Sequence, residues 1–390
     1  GSKVRVYPTP VPSTSEQLGV TYEPFLDAID PGSRIMLADG LIELLVEEKT
    51  AEYALCGVGR GGPLAARQGV TLPNVTLQGG SLTEDDRADI AFGAEHEVEF
   101  LGLSFLSSAE DVRTARQTAH ALGARPGIIA KIERPAALAE IESIAIEADA
   151  VMVARGDLGV QLPLEQVPQA QKEIIAVCNR VGTPVITATQ MLESMIMQPV
   201  PTRAETSDVA NAVFDGTDAV MLSAETATGR FPVAAVEMMA RIIREVERAG
   251  PVRPAASNNA TTTHNPERLI TDALGRAARA MTDNAPIDYI VVFTLSGASA
   301  RLVAKFRPRV PVIAVTTDPF IARQLSLVWG VRAVVSPLID EIDGLFRSAS
   351  RQIIDHGYAR AGAEALFVGS LPIYRISGRT NLIHVRRLEE

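Results

Sequence analysis

The chain is short of cysteine, of positive charge and of long apolar runs, and each shortage removes a class of protein. Two cysteines in 390 residues, Cys56 and Cys178, cannot build a disulfide framework or a cysteine-rich metal site, so a cytoplasmic, reducing location is expected. The formal net charge of -10 argues against a nucleic-acid partner, although an acidic protein can still hold a local cationic pocket for phosphates. No apolar run reaches the ~20 residues of a membrane span, so no membrane partner is expected, and no signal peptide is visible. Low-complexity tracts and short-period repeats are missing. So are the Walker A, H-E-x-x-H and G-x-S-x-G patterns. The chain opens on Gly1-Ser2 rather than Met, which suggests a tag remnant or a cut from something longer.

What is present is a globular composition, 46% hydrophobic and 22% charged, with length enough for two or three domains. Residues 1–80 read as β-rich: KVRVY at Lys3–Tyr7, the runs on either side of Asp39-Gly40, and GVTL at Gly69–Leu72 are broken by turn residues. Asp39-Gly40 predicts a hairpin. Gly57-Val-Gly59-Arg-Gly61-Gly62 matches G-x-G-x-x-G, but Pro63 follows and no βαβ unit surrounds it, so a loop is expected. From residue 81 to 250 the pattern becomes strand then helix, opening with Thr83 as a helix cap. The segment 251–266, rich in Pro, Asn and Thr, reads as a linker, and 267–390 reads as a smaller α/β domain with a mostly parallel sheet.

Four apolar runs between Gly127 and Gly229 end in reactive residues: Ile128–Pro135, Val151–Gly159, Pro184–Ser194 and Ala219–Gly229. Reactive side chains at successive strand ends are what a (β/α)₈ barrel presents at its catalytic face. Lys131 and Glu133, two apart, leave a strand on one face; they form either an ion pair or part of a site. Gly156 and Gly159 flank Asp157 and let backbone approach a ligand, unless Arg155–Asp157 is a plain turn. Glu133 and Asp157 at adjacent strand ends could share one divalent cation, Mg²⁺ holding few protein carboxylates and keeping substrate oxygens and water. Thr187 and Thr189 share a face, as do Ser223 and Glu225; in each pair, structure weighs more than function. Thr294, Ser296, Gly297 and Ser299 lie between a strand and a helix, as a possible anion-binding loop or an ordinary cap.

With these residues placed, the chain resembles the pyruvate kinases from about Gly19 to Val385. IAKIE, VARGDLG, ITATQMLESM and PTRAETSDVANAVFDGTDAVMLSAETATG stand in that family's order. AEYALCGVGRGGPLAARQGVTLPN resembles the end of its lid domain, and RPRVPVIAVT and LVWGV resemble its C-terminal domain. The resemblance implies a partial TIM barrel, five of eight strands, with a β-rich lid and a C-terminal α/β regulatory domain. It implies phosphoryl transfer from phosphoenolpyruvate to ADP, giving pyruvate and ATP. By matching positions, Glu133 and Asp157 hold Mg²⁺ (or Mn²⁺), and Lys131 stabilises the transferring phosphoryl group and the enolate. Thr189 contacts substrate and lies on the proton path, and the Gly156 and Asp157 backbone cradles the substrate carboxylate. Arg67 falls at a nucleotide position, and Thr294–Ser299 falls on the loop that takes a sugar-phosphate effector in many members. A homotetramer is the family's habit.

The resemblance also marks departures. No T-K-I-x-x-T-I-G-P and no R-x-N-F-S-H-G occur in the 390 residues, so the first three barrel strands, the K⁺ ligands and a phosphate-gripping Arg are unmatched. The family's basic pair is Arg67-Gln68 here, an Arg is replaced near Ser107, a Lys is Thr228, a Glu is Gln161 and a Gly is Ala224. These changes remove positive charge near the nucleotide. They motivate a second expectation, a non-catalytic regulatory subunit on the same fold. A carbon–carbon lyase of the phosphoenolpyruvate/pyruvate barrel group is a third, against which the Thr189–Ser194 run argues.

Overall fold

Strict alternation of apolar and polar residues builds the first sheet. β1 (Lys3–Tyr7) buries Val4 and Val6 and turns Lys3 and Arg5 to solvent. It is joined by β2 (Gln17–Gly19), β3 (Arg34–Leu37), β4 (Ile42–Lys49), β5 (Ala54–Arg60) and β6 (Val70–Thr71), in the order β2-β1-β5-β4-β3-β6. The computed structural model describes residues 1–38, 40–73, 82–249, 266–337, 339, 341–370 and 380–389. Asp39 lies outside them, yet β3 and β4 pair antiparallel on either side of it, Leu37 opposite Ile42, as the Asp39-Gly40 hairpin signal predicts. Gly57–Arg60, expected in a loop, instead continue β5; only Gly61 and Gly62 lie beyond the strand. The bare α-carbon lets the Glu47 side chain of the neighbouring strand lie over Gly57, where a Cβ would stand 2.5 Å from Oε1 and push that flexible carboxylate aside.

The period then changes to strand–helix. α1 (Glu84–Glu95) starts in a capping box: Thr83 Oγ1 accepts the Asp86 N–H and the Asp86 carboxylate accepts the Thr83 N–H. β7 (Phe100–Leu103), α2 (Ala109–Ala121), β8 (Gly127–Ile132), α3 (Pro135–Ala139), α4 (Ile141–Glu147) and β9 (Ala150–Ala154) follow. After them come α5 (Arg155–Gln161), α6 (Val167–Val181), β10 (Val185–Ala188), α7 (Arg203–Asp215), β11 (Ala219–Met221), α8 (Ala224–Ala227) and α9 (Pro232–Arg248). The five strands are parallel throughout, in the order β11-β10-β9-β8-β7. Helices cover the sheet, which is why β10 is buried at all four positions and reads as a continuous apolar run. α9 shows the helical counterpart: Ala235, Met239, Ile242 and Val246 form its one buried stripe. The expected partial barrel is the observed arrangement, with β7 and β11 at its edges.

The linker expected at 251–266 falls outside the described residues except for Pro266, which starts α10 (Pro266–Asn284). β12 (Tyr289–Phe293), α11 (Ala298–Ala304), β13 (Val312–Thr316), α12 (Pro319–Gln324), β14 (Val331–Val335), α13 (Ile342–Asp355), β15 (Glu364–Gly369) and β16 (Leu382–Arg387) complete the chain. The third sheet runs β14-β13-β12-β15-β16, parallel except for its last pair. Separate apolar clusters cover its two faces, one around Ile290 and Val292, the other around Val291 and Phe367.

This unit is bolted to the underside of the barrel strands by Arg307. Its guanidinium is 3% exposed, lies 3.2 Å from Asp218, donates to the Gly216 carbonyl at 2.6 Å, and sits 4.9 Å from the Trp329 ring centre. Trp329 reaches back with its indole N–H to Glu247 at 2.9 Å.

Candidate active site

The ends of β8, β9 and β10 bring their polar residues to one place. Glu133, one residue past β8, is 1% exposed. One of its oxygens accepts the Phe105 N–H at 2.8 Å; the other lies 2.6 Å from Lys131 Nζ. That second contact is a close ion pair, and Oε1 has no other partner among the described residues. A buried carboxylate oxygen whose one partner is an ammonium keeps lone-pair capacity for a second cation. Lys131 is held from the other side by Ser104 Oγ at 2.7 Å, at the end of β7. Its side chain keeps 26% exposure, so the ammonium is fixed yet open to a ligand.

Asp157 is not in the plain turn that a strand end suggests. It lies in the first turn of α5, which starts directly after β9. It is partly exposed and makes no hydrogen bond or ion pair among the described residues. The Gly156 N–H donates to Thr189 Oγ1 at 2.8 Å, and a Cβ on Gly156 would already meet that oxygen at 3.5 Å. The lid sheet rests on the same helix: a Cβ on Gly40, in the β3–β4 turn, would lie 3.4 Å from Val160.

Thr187 and Thr189 do not share a face. Thr187 is fully buried and bonds Thr217 Oγ1 at 3.0 Å, a structural role. Thr189 has φ 68° and Gln190 φ 54°, two consecutive left-handed residues without glycine, and the alternation breaks there. The strain is held by Arg155. Its Nε lies 3.2 Å from both the Ala188 and Thr189 carbonyls, its Nη2 donates to the Thr189 carbonyl at 2.5 Å, and its Nη1 pairs with Asp208 at 2.6 Å. Glu205 holds the far end of the run by accepting the Ser194 N–H and hydroxyl at 2.7 and 2.6 Å. Burial pushes its carboxyl up, but these bonds and those from Thr202 outweigh it and hold Glu205 below its ordinary range. Ser223 and Glu225 are structural: Glu225, 2% exposed, accepts the Leu192 and Ser223 N–H groups.

The other sequence candidates stand elsewhere. Arg67 is exposed between β5 and β6, at φ 61°, with no hydrogen bond or ion pair among the described residues. Thr294 and Ser299 are buried, Ser299 bonding Thr380 at 3.0 Å, and Gly297 takes φ 78° ahead of α11. Ser296 offers its carbonyl to Arg301 at 3.3 Å. Reading residues by type overlooked Ser104 and Arg155, which position Lys131 and Thr189. Ser104 follows β7 and Arg155 follows β9, so the strand-end rule that marked the others applies to both.

A site of this kind holds a cation with two protein carboxylates at most; among the described residues no cluster of three or more His, Cys, Asp or Glu could hold a metal. The buried Glu133 carboxylate, whose Oε1 meets only Lys131, and the unpaired Asp157 fit an ion that takes its other ligands from substrate and water.

Comparison with known proteins shows the family. The family model described as pyruvate kinase, barrel domain, matches residues 7–236, and pyruvate kinase, alpha/beta domain, matches residues 272–386. A pyruvate kinase of Geobacillus stearothermophilus is 42% identical over 393 residues, covering 100% of this chain and 66% of the relative. That of Agrobacterium vitis is also 42% identical, covering 92% and 74%. The crystal structure of a pyruvate kinase from Cryptosporidium parvum superposes with a TM-score of 0.86 at 31% identity, covering 100% of this chain and 79% of the other. The chain thus spans about two-thirds of the Geobacillus relative's length.

Proposed function

Because this chain belongs to the pyruvate kinase family, we propose that it transfers the phosphoryl group of phosphoenolpyruvate to ADP, giving pyruvate and ATP. The observation that carries this reading is the ion pair of Lys131 with the buried Glu133 at a strand end, one strand from the unpaired Asp157. Such chemistry needs positioning and cations aimed at developing charge more than it needs a nucleophile. In the reaction an ADP β-phosphate oxygen forms the new O–P bond while the bond from phosphorus to the enol oxygen breaks. The electron pair stays as the enolate, which is then protonated at its methylene carbon.

Lys131 is the fixed cation for the phosphoryl oxygens and the enolate. Thr189 Oγ1 lies on the proton path and is oriented by the Gly156 N–H. The Gly156–Asp157 backbone at the start of α5 takes the substrate carboxylate. Glu133 and Asp157 would hold Mg²⁺ or Mn²⁺, which when bound would supply positive charge to offset the charge developing on phosphoryl transfer. K⁺ is typical of the family. Arg67 at the nucleotide, a sugar-phosphate effector at Thr294–Ser299, a homotetramer and a cytoplasmic location belong to the same reading.

The test is pyruvate formation from phosphoenolpyruvate, ADP and Mg²⁺, coupled to lactate dehydrogenase. It is run on the chain alone and with the first three barrel strands of a relative fused ahead of residue 1. Turnover that needs Mg²⁺ and falls about 10²–10³-fold in Lys131→Met is expected. Absence of turnover in both forms would overturn the assignment in favour of a regulatory subunit.

A further inference from the structure

A cavity of about 410 Å³ lies between the underside of the barrel strands and the C-terminal sheet unit, far from the strand ends described above. Its barrel wall is Arg116, Asp149 and Thr183-Pro184; its other wall is α11, with Ala298, Arg301 and Leu302. The carboxylates at its rim are already committed. Asp149 pairs with Arg116 at 2.8 Å and accepts the Ile128 N–H at 2.9 Å, while Glu147 lies 3.4 Å from Arg113. Thr183 donates to the Ala145 carbonyl at 2.6 Å.

Arg301 is the exception. Its guanidinium has five N–H donors. Its single hydrogen bond among the described residues is a long one, Nη2 to the Ser296 carbonyl at 3.3 Å, and no carboxylate pairs with it. Burial holds its pKa below the ordinary value, offset in part by the nearby charge of Asp149. A largely desolvated cation without a counter-ion, facing a cavity with room for a small molecule, calls for an anion.

We propose that this interdomain cavity is a second ligand site, taking a small metabolite that bears a phosphate or carboxylate group, with Arg301 as its anchor. The position gives such a ligand leverage. Asp149 stands immediately before β9 and Pro184 immediately before β10, and the opposite ends of these strands carry Asp157 and Thr189. Strands of this length put the two ligands roughly 15 Å apart along rigid backbone. Arg301 also touches the 294–299 loop through Ser296, so an anion on its guanidinium competes with that contact.

Titration calorimetry with inorganic phosphate and, separately, malate tests this on the full chain. Saturable binding of one of them is expected, and which one saturates identifies the headgroup. Arg301→Met should weaken it about tenfold or more. Leu302→Trp, which fills the cavity and keeps the guanidinium, should weaken it likewise and decides the matter if Arg301→Met does not fold. Ser296→Ala, which leaves its carbonyl in place, should bind as the parent does. Binding of neither anion, undiminished binding in both cavity variants, or a loss in Ser296→Ala as large as theirs would each overturn the proposal.

Discussion

At the scale of single residues the site is made by pairs in which one member orders the other. Ser104 and Glu133 fix the Lys131 ammonium, and Arg155 fixes the backbone of Thr189. If Glu133 and Asp157 hold the divalent ion, Glu133→Gln and Asp157→Asn should each weaken Mn²⁺ binding about tenfold or more, read by electron paramagnetic resonance in the presence of phosphoenolpyruvate. Arg155→Met removes the hydrogen bonds that hold two left-handed residues in place. The expected cost is about 2 kcal/mol in urea unfolding, at about 1 kcal/mol per lost bond, and Arg155→Lys should recover only part of it. Lys131, Glu133 and Asp157 were legible in the sequence because strand periodicity and flanking glycines mark them. Arg155 was legible by its place after a strand but not by its role, which depends on the φ of Thr189, and nothing in Thr-Gln announces a left-handed turn. For the same reason Thr187 and Thr189 looked equivalent and are not.

Elements were read more reliably than residues wherever packing and capping agree. Lys3–Tyr7 has the bounds that alternation and the following turn residues predict. β16 went unseen: its LIHVRR is largely uncovered and carries two arginines, so neither burial nor alternation marks an edge strand there. Gly57–Arg60 deceived in the opposite direction, because glycines in β5 make room for the side chains of β4 rather than for a turn. α7 offers an element-scale test. Glu205 belongs to its capping box with Thr202 and also grips Ser194, so Glu205→Ala should lower stability by about 1–2 kcal/mol at neutral pH. Its folded-state pKa is below the ordinary 4.5, so the contribution is full above that range and fades as pH falls through the lowered value. Denaturation curves of parent and variant should therefore separate at pH 7 and converge in strong acid.

At the scale of the whole molecule, what sequence does not reveal is how the units meet. Arg307 opens the RPRVPVIAVT run, which sequence marks only by its resemblance, yet with φ 50° and 3% exposure it is a buried contact between the C-terminal unit and the strands beneath the site. Arg307→Leu takes the counter-ion from the buried Asp218, leaving it only the Val185 and Trp329 N–H groups, and should cost about 3 kcal/mol. In scanning calorimetry it should split one unfolding transition into two, the C-terminal unit melting first. Trp329, packed on that guanidinium, is the chain's one tryptophan. The protein therefore carries a built-in optical probe of a single joint: its indole emission reports separation of the two units, while melting confined to the lid leaves it unmoved. A fluorescence trace and a far-ultraviolet dichroism trace of the same sample should diverge wherever the joint opens before the helices melt.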